Sequence, residues 1–278
     1  MPISNQHLRN IMRRIILIAM ALPWLVTSCK KDTATINAST ELVPLTIEFD
    51  NIVGSQNLAL NTGIYNANAG ETFSVQLLKY YVSNFKLTRT DGTEYVVPQD
   101  SSYFLIEEGN DDAEEAHLKV PVADYAAVSF MLGVDSLRST MDITKRLGVL
   151  NPTGSYSDMY WNANSGYIFF KMEGVSPQAP VDATGQRKFK YHIGGFGGAT
   201  SPTINNIKTI KLDLTAGGIA KPRKDRNSEV HLMVDIDKVL SGTNKVSIAA
   251  NPSVMFTNYS VNIANNFSAM FRHDHTHN

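Results

Sequence analysis

The sequence predicts an all-β protein, an antiparallel β-sandwich of the Ig-like or jelly-roll-like kind, with a few short helices including one near the C-terminus. Three observations predict it. Apolar and polar residues alternate through most of the chain, the period of a half-buried strand. Turn residues separate the alternating stretches at near-regular spacing. Helical spacing is confined to a few short stretches, so apolar faces must be buried sheet on sheet.

The first element is not part of the sandwich. Arg13 and Arg14 precede an apolar run from Ile15 to Val26, and Leu25-Val26-Thr27-Ser28 leads into Cys29, the only cysteine. A basic start, a short apolar stretch and a small residue before cysteine form the pattern of a bacterial lipoprotein signal. A membrane span needs about 20 apolar residues, and this run is shorter and broken by Pro23 and Trp24. A cleaved secretory signal with an incidental cysteine is the alternative. Residues 1–28 are therefore expected to be removed, and Cys29 to carry lipid. Lys30 and Lys31 follow the cysteine in place of an inner-membrane aspartate signal, which favours the outer membrane, facing the periplasm or the cell surface. Residues 29–41 are polar and rich in Thr, Ala and Ser, a lipidated tether. Residues 42–278 form the domain. A net charge of -1 offers no basic field for nucleic acid.

Within the domain the strands follow in order. Val43, Leu45, Ile47 and Phe49 alternate, as do Phe73, Val75 and Leu77. A strand from Val82 to Thr88 meets Asp91-Gly92, a hairpin turn signal, before Tyr95-Val96-Val97. Tyr103 to Ile106 is a short strand, and Val128, Phe130, Leu132 and Val134 form an alternating set. Ser139 to Leu147 suits a short helix, and Tyr167 to Met172 a compact apolar strand. Ile210, Leu212 and Leu214 alternate, then Val230, Leu232, Val234 and Ile236. Asp237 to Leu240 reads as a single helical turn. Ile263, Phe267, Met270 and Phe271 recur at helical spacing, which predicts a helix over Val261 to Phe271.

Four separated blocks are more specific. They are Lys79-Tyr80-Tyr81-Val82-Ser83-Asn84-Phe85, Phe130 to Ser136, the segment GVLNPTGSYSDMYWNANSGYIFFKMEG from Gly148 to Gly174, and Tyr191-His192-Ile193-Gly194-Gly195. In this order they resemble the MbnP-like family, copper-binding partner proteins found near methanobactin and copper-repressible systems, with lipoprotein relatives. The resemblance runs from about Pro44 to Asn278. It implies an all-β, copper-binding protein of the cell envelope. It also implies a di-haem peroxidase-like partner that oxidises a tryptophan to kynurenine. The family often reads Trp-Thr-Trp before Ser-Gly-Tyr, whereas this chain keeps Trp161 and has Ala163 at the second position. Trp161 is therefore the residue that could become kynurenine.

The residues can be read without the resemblance. With no thiolate in the domain, a copper ion, Cu(I) or Cu(II), would need imidazole or thioether donors. His7 leaves with the signal, and six of the seven histidines remain. His192 is the first choice, on a strand opposite in facing to Phe189 and Tyr191 and followed by Gly194-Gly195; a surface strand histidine is the plainer reading. His275 and His277 would point to one side of an extended tail, with Asp274 orienting one ring and His273 as a spare on that side. A frayed tail that binds metal casually is the alternative. His231 shares a strand face with Met233 and Asp235, either a metal grip or an exposed face. Met159, beside Tyr160 and Trp161, is a reserve ligand or core filler.

A rival function is a lipid-tethered module that binds glycans or a surface protein through Tyr156, Tyr160, Trp161 and Tyr167. The sequence contains no Gly-x-Ser-x-Gly elbow and no His-Glu-x-x-His. The expected role is copper capture or delivery rather than enzymatic turnover.

Overall fold

The computed structural model describes residues 41–67 and 70–278. The signal segment, Cys29 and all of the tether except Glu41 lie outside them. Fifteen strands follow in chain order: β1 (Leu42–Val53), β2 (Gln56–Asn57), β3 (Tyr65–Asn66), β4 (Thr72–Arg89), β5 (Glu94–Val96), β6 (Tyr103–Glu107), β7 (Glu115–Pro121), β8 (Tyr125–Leu132), β9 (Tyr160–Asn162), β10 (Gly166–Val175), β11 (Lys188–Gly194), β12 (Lys208–Asp213), β13 (Ser228–Asp235), β14 (Ser253–Val254) and β15 (Phe271–His277). Short helices are α1 (Ser136–Thr140), α2 (Asp237–Ser241) and α3 (Ser260–Asn266). The described residues fall within one compact unit.

Two sheets form the layers. One runs β15-β13-β1-β2, with β7 also paired to β1; the other runs β12-β8-β4-β10-β11-β14, with shorter strands along β4 and β10. Leu45, Ile47 and Phe49 of β1 and Val230, Leu232 and Val234 of β13 are fully buried. Phe49 and Phe271 of the first sheet meet Phe130 of the second edge-on, at ring separations of 5.6 and 5.3 Å. Tyr80 of β4 also packs edge-on against Phe49, at 6.3 Å. Such T-shaped contacts match the positive ring edge to the negative ring face. Most predicted alternations became the inward faces of these two layers; in β4 the phase shifts after Val75, so that Leu78 rather than Leu77 is buried, where the pairing with β10 changes register between Glu173 and Gly174, and in β12 Leu212 is only half-buried.

Several details differ from the sequence expectation. In place of the helix expected over Ser139 to Leu147, α1 ends at Thr140 and a 3₁₀ turn follows over Ile143–Lys145. The sandwich is antiparallel-rich, but β1 and β13 pair in parallel, Glu48 opposite His231. Parallel neighbours require a crossover, and the long chain between these strands supplies it. The strands expected around Phe73 and Val82 are one strand, β4, bent where Asn84 takes a left-handed φ of 53°. There the pairing with β8 shifts register between Ser83 and Lys86, as a bulge does. The helix expected over Val261 to Phe271 stops at Asn266, continues as a 3₁₀ turn over Phe267–Ala269, and gives way to β15 at Phe271. Phe271 belongs to the inter-sheet aromatic cluster, and extending the chain there is what pairs it with Val234.

A buried polar chain crosses beneath β1. Tyr80 O–H donates to Asn51 Oδ1 at 2.9 Å, and Asn51 Nδ2 donates to Glu108 Oε2 at 3.0 Å. Burial pushes the Glu108 carboxyl up to about 7. A carboxyl with a raised folded pKa stabilises the fold below its unfolded pKa, and that contribution is lost as pH climbs through the folded value. Stability should therefore fall by about 1 kcal/mol between about pH 5 and about pH 8 through this group, after allowance for its partial exposure. Glu108→Gln should flatten that slope in denaturation curves recorded across the range. An unchanged slope would contradict the assignment.

Candidate metal centre

The first sheet carries a histidine cluster on its outward side. In β13 burial alternates strictly, so Val230, Leu232 and Val234 face the core while His231, Met233 and Asp235 face out. β15 runs antiparallel beside it and sets His275 opposite His231. The register shifts between His231 and Leu232, whose partners are His275 and His273. Asp274 is therefore the extra residue of a bulge, and a bulge re-aims side chains. It turns Asp274 and His275 together toward His231.

The polar atoms converge closely. One ligand atom each from His231, Asp274 and His275 lies within 4.8 Å of the others. His275 Nδ1 donates to Asp274 Oδ2 at 2.7 Å, which fixes the ring and leaves Nε2 free to face His277 Nε2 at 2.9 Å. Two imidazole lone pairs that close repel unless a proton or a cation lies between them. The His231 and His275 rings stand 4.7 Å apart. His231 Nδ1 lies 3.6 Å from Asp274 Oδ2, and its Nε2 lies 3.5 Å from Glu48 Oε1 and 3.6 Å from Asp50 Oδ2. These separations are too long for good hydrogen bonds. Nδ1 of this largely buried ring accordingly has no hydrogen-bond partner.

The electrostatics favour a cation. Glu48, Asp50 and Asp274 bring three carboxylates to the His231 ring. The hydrogen bond from His275, aided by Arg272, holds Asp274 below the usual carboxylate range. Burial raises the Glu48 carboxyl, although His231 opposes the rise. An orphaned imidazole nitrogen, two further imidazoles and an orienting carboxylate fit a borderline transition metal, whose bonds to nitrogen are about 2 Å long.

The other candidates lie elsewhere. His192 is on β11 in the second sheet, where Nε2 meets Glu173 Oε1 at 2.7 Å. Burial lowers its pKa, and it does not join the cluster. His273 corrects the expectation that it shares the side of His275, because the bulge reverses its facing and Nε2 meets Thr276 Oγ1 at 2.9 Å. Met159 is fully buried core. Trp161 packs edge-on against Phe256 at 5.5 Å, and a Cβ added at Gly194 would touch its ring at 2.9 Å. Glu48 and Asp50 were not singled out from the sequence. Their only signal was the polar phase of β1, and the parallel pairing that brings them to His231 is a long-range event.

Comparison with known families then decides the kinship. The MbnP family model matches residues 43–256. The chain belongs to the MbnP family. Its fold is similar to that of MbnP from Methylosinus trichosporium, with a TM-score of 0.52, 14% identity, and coverage of 78% of this chain and 82% of that one. No curated protein sequence matches. His231 lies inside the segment matched to the MbnP family, whereas Asp274, His275 and His277 lie beyond its end. Among the described residues no helix is long and apolar enough to cross a membrane.

Proposed function

We propose that this MbnP-family chain is a lipid-anchored copper-binding protein of the cell envelope, held to the outer membrane through Cys29. It captures or hands over copper and performs no turnover. His231, His275 and His277 supply imidazole nitrogens, Asp274 orients His275, and Glu48 and Asp50 add negative charge. The observation that carries the reading is the unpartnered His231 Nδ1 beside His275 across the β13–β15 pair. The family supports copper, and mixed nitrogen and oxygen sites favour copper over its first-row neighbours. A bound copper ion would supply a redox-capable charge, held by these imidazoles. A di-haem peroxidase-like partner acting on Trp161 belongs to the same proposal, although Trp161 packs with Phe256 rather than with the cluster.

Equilibrium dialysis against copper tests the reading. At about pH 7.5 the protein should retain one equivalent, and it should release it as pH falls through about 6.5, where imidazoles protonate. His192→Ala should bind as the wild type does. No retained copper would overturn the function; a loss confined to His192→Ala would move the site to β11.

A further inference from the structure

β15 carries His275 and His277 at the end of the first sheet, where β13 is its strand neighbour on one side. A strand held from one side opens locally. Ligands on such a strand bind only in the fraction of molecules where it is docked, and the apparent affinity falls by that fraction. The other side of β15 is held as well. The chain between β12 and β13 passes there as a strap over residues 217–221.

The strap is fastened to the second sheet. Tyr125 N–H donates to the Ala220 carbonyl at 2.8 Å, and Ala220 N–H donates back to the Tyr125 carbonyl at 3.0 Å. Tyr125 is fully buried at the start of β8. Just beyond the strap, Arg223 Nη1 donates to the Ala123 carbonyl at 2.9 Å, and Nη2 pairs with Asp124. These anchors do not involve β15, so the strap is a fixed wall against which that strand can rest.

Two contacts bracket the ligands. At one end Gly217 lies against the bulge. A Cβ there would stand 2.3 Å from the Asp274 carbonyl oxygen and 2.8 Å from His273 Cε1. The requirement is one of space: only glycine lets the strap back the bulge that turns His275 toward His231. The Gly217 carbonyl also accepts from Thr276 N–H, between the two histidines, at 3.1 Å. At the other end, past His277, the Asn278 side chain makes three hydrogen bonds. Its Oδ1 accepts from Lys221 N–H at 2.7 Å and from Ser228 Oγ at 2.8 Å, and its Nδ2 donates to the Ile219 carbonyl at 3.0 Å. Ser228 is fully buried and opens β13. One amide thus ties β15 to the strap and to the strand that carries His231.

We infer that Gly217 and Asn278 are positioning residues for the copper ligands. They hold His275 and His277 in register with His231 without contacting the ion. The inference rests on the copper reading of that cluster. Register is what the two contacts protect, since a slip of one residue turns every side chain of a strand to its other face. Losing the Asn278 amide frees the strand beyond His277. A methyl at residue 217 pushes on the Asp274 carbonyl and re-aims Asp274 and His275 together.

Chelator competition for Cu(II) on the full chain tests this, with thermal unfolding of each metal-free protein alongside. Asn278→Ala should weaken copper binding about tenfold, the lower end of what partners behind metal ligands contribute. Asn278→Asp keeps an oxygen acceptor for Lys221 N–H and Ser228 Oγ, and should restore most of the loss. Gly217→Ala should weaken binding at least as much and should change the electron paramagnetic resonance spectrum of bound Cu(II). A variant that unfolds earlier yet binds Cu(II) with the wild-type affinity and spectrum has lost only a structural contact, and that result overturns the inference. Wild-type copper binding with both Asn278→Ala and Gly217→Ala unchanged overturns the inference alone. A wild type that retains no copper overturns the copper reading, and the inference with it.

Discussion

Phe130→Ala is expected to destabilise the fold by about 3–5 kcal/mol, the range for a buried phenylalanine that leaves a cavity. Phe130 is 1% exposed and stands on β8, in the larger sheet. Its ring meets Phe49 at 5.6 Å and Phe271 at 5.3 Å across the layers, and Phe85 at 5.4 Å within its own sheet. Truncation therefore loses apolar burial and three aromatic contacts at once. The neighbours cannot collapse inward easily, because Phe49 and Phe271 are held in a hydrogen-bonded sheet. In urea the midpoint should fall with the slope unchanged. A loss under about 1 kcal/mol would mean that the layers do not depend on this ring. Phe130→Leu should recover much of the loss because it refills volume without restoring the ring edges.

The same cluster shows what sequence could and could not reveal. Alternation at Leu45, Ile47 and Phe49 is a local property, since adjacent strand residues point to opposite faces. It assigned the inward face of β1 without reference to a partner. Which strand lies beside β1 is not local. β13 reaches it from nearly two hundred residues away, in parallel, with Glu48 opposite His231. Period-two alternation carries no information about strand order or direction, so Glu48 and Asp50 looked like ordinary solvent-facing polar residues. Helical spacing misled at Phe271 for a related reason. Phe267, Met270 and Phe271 are all buried, but Phe271 is buried as the first residue of β15.

The candidate metal centre was legible in part. One-residue spacing put His275 and His277 on one side of an extended tail, and their nitrogens do face each other at 2.9 Å. The choice of Asp274 as an orienting carboxylate rested on adjacency and agrees with its 2.7 Å hydrogen bond to His275. Simple alternation, however, gives His273 the facing of His275, because it does not foresee a bulge. Inserting one residue into a strand reverses the facing of everything on one side of it. The bulge at Asp274 thus removes His273 from the cluster. His192 drew attention because its strand and flanking glycines were locally distinctive. Its surroundings proved to be Glu173 and the lysines Lys171 and Lys190, a poorer field for a cation than the carboxylates around His231.

His275→Ala should reduce copper affinity by about 100-fold or more, because it removes the residue that links every other part of the site. Its ring accepts orientation from Asp274, faces His277 at 2.9 Å, and stands 4.7 Å from His231. Without it, His231 and His277 have no imidazole between them. Asp274→Asn separates orientation from ligation. The amide keeps the size but lacks the charge that holds the His275 Nδ1 proton, and loss of such an orienting partner costs about 10- to 100-fold in metal affinity. Competition against a chelator of known strength should therefore rank wild type above Asp274→Asn and Asp274→Asn above His275→Ala. Both side chains are partly exposed, so folding should be little affected, and thermal unfolding of the metal-free variants checks this. Copper should raise the unfolding temperature of the wild type by mass action and leave that of His275→Ala nearly unmoved. Equal affinities across the three proteins would place copper away from the β13–β15 pair.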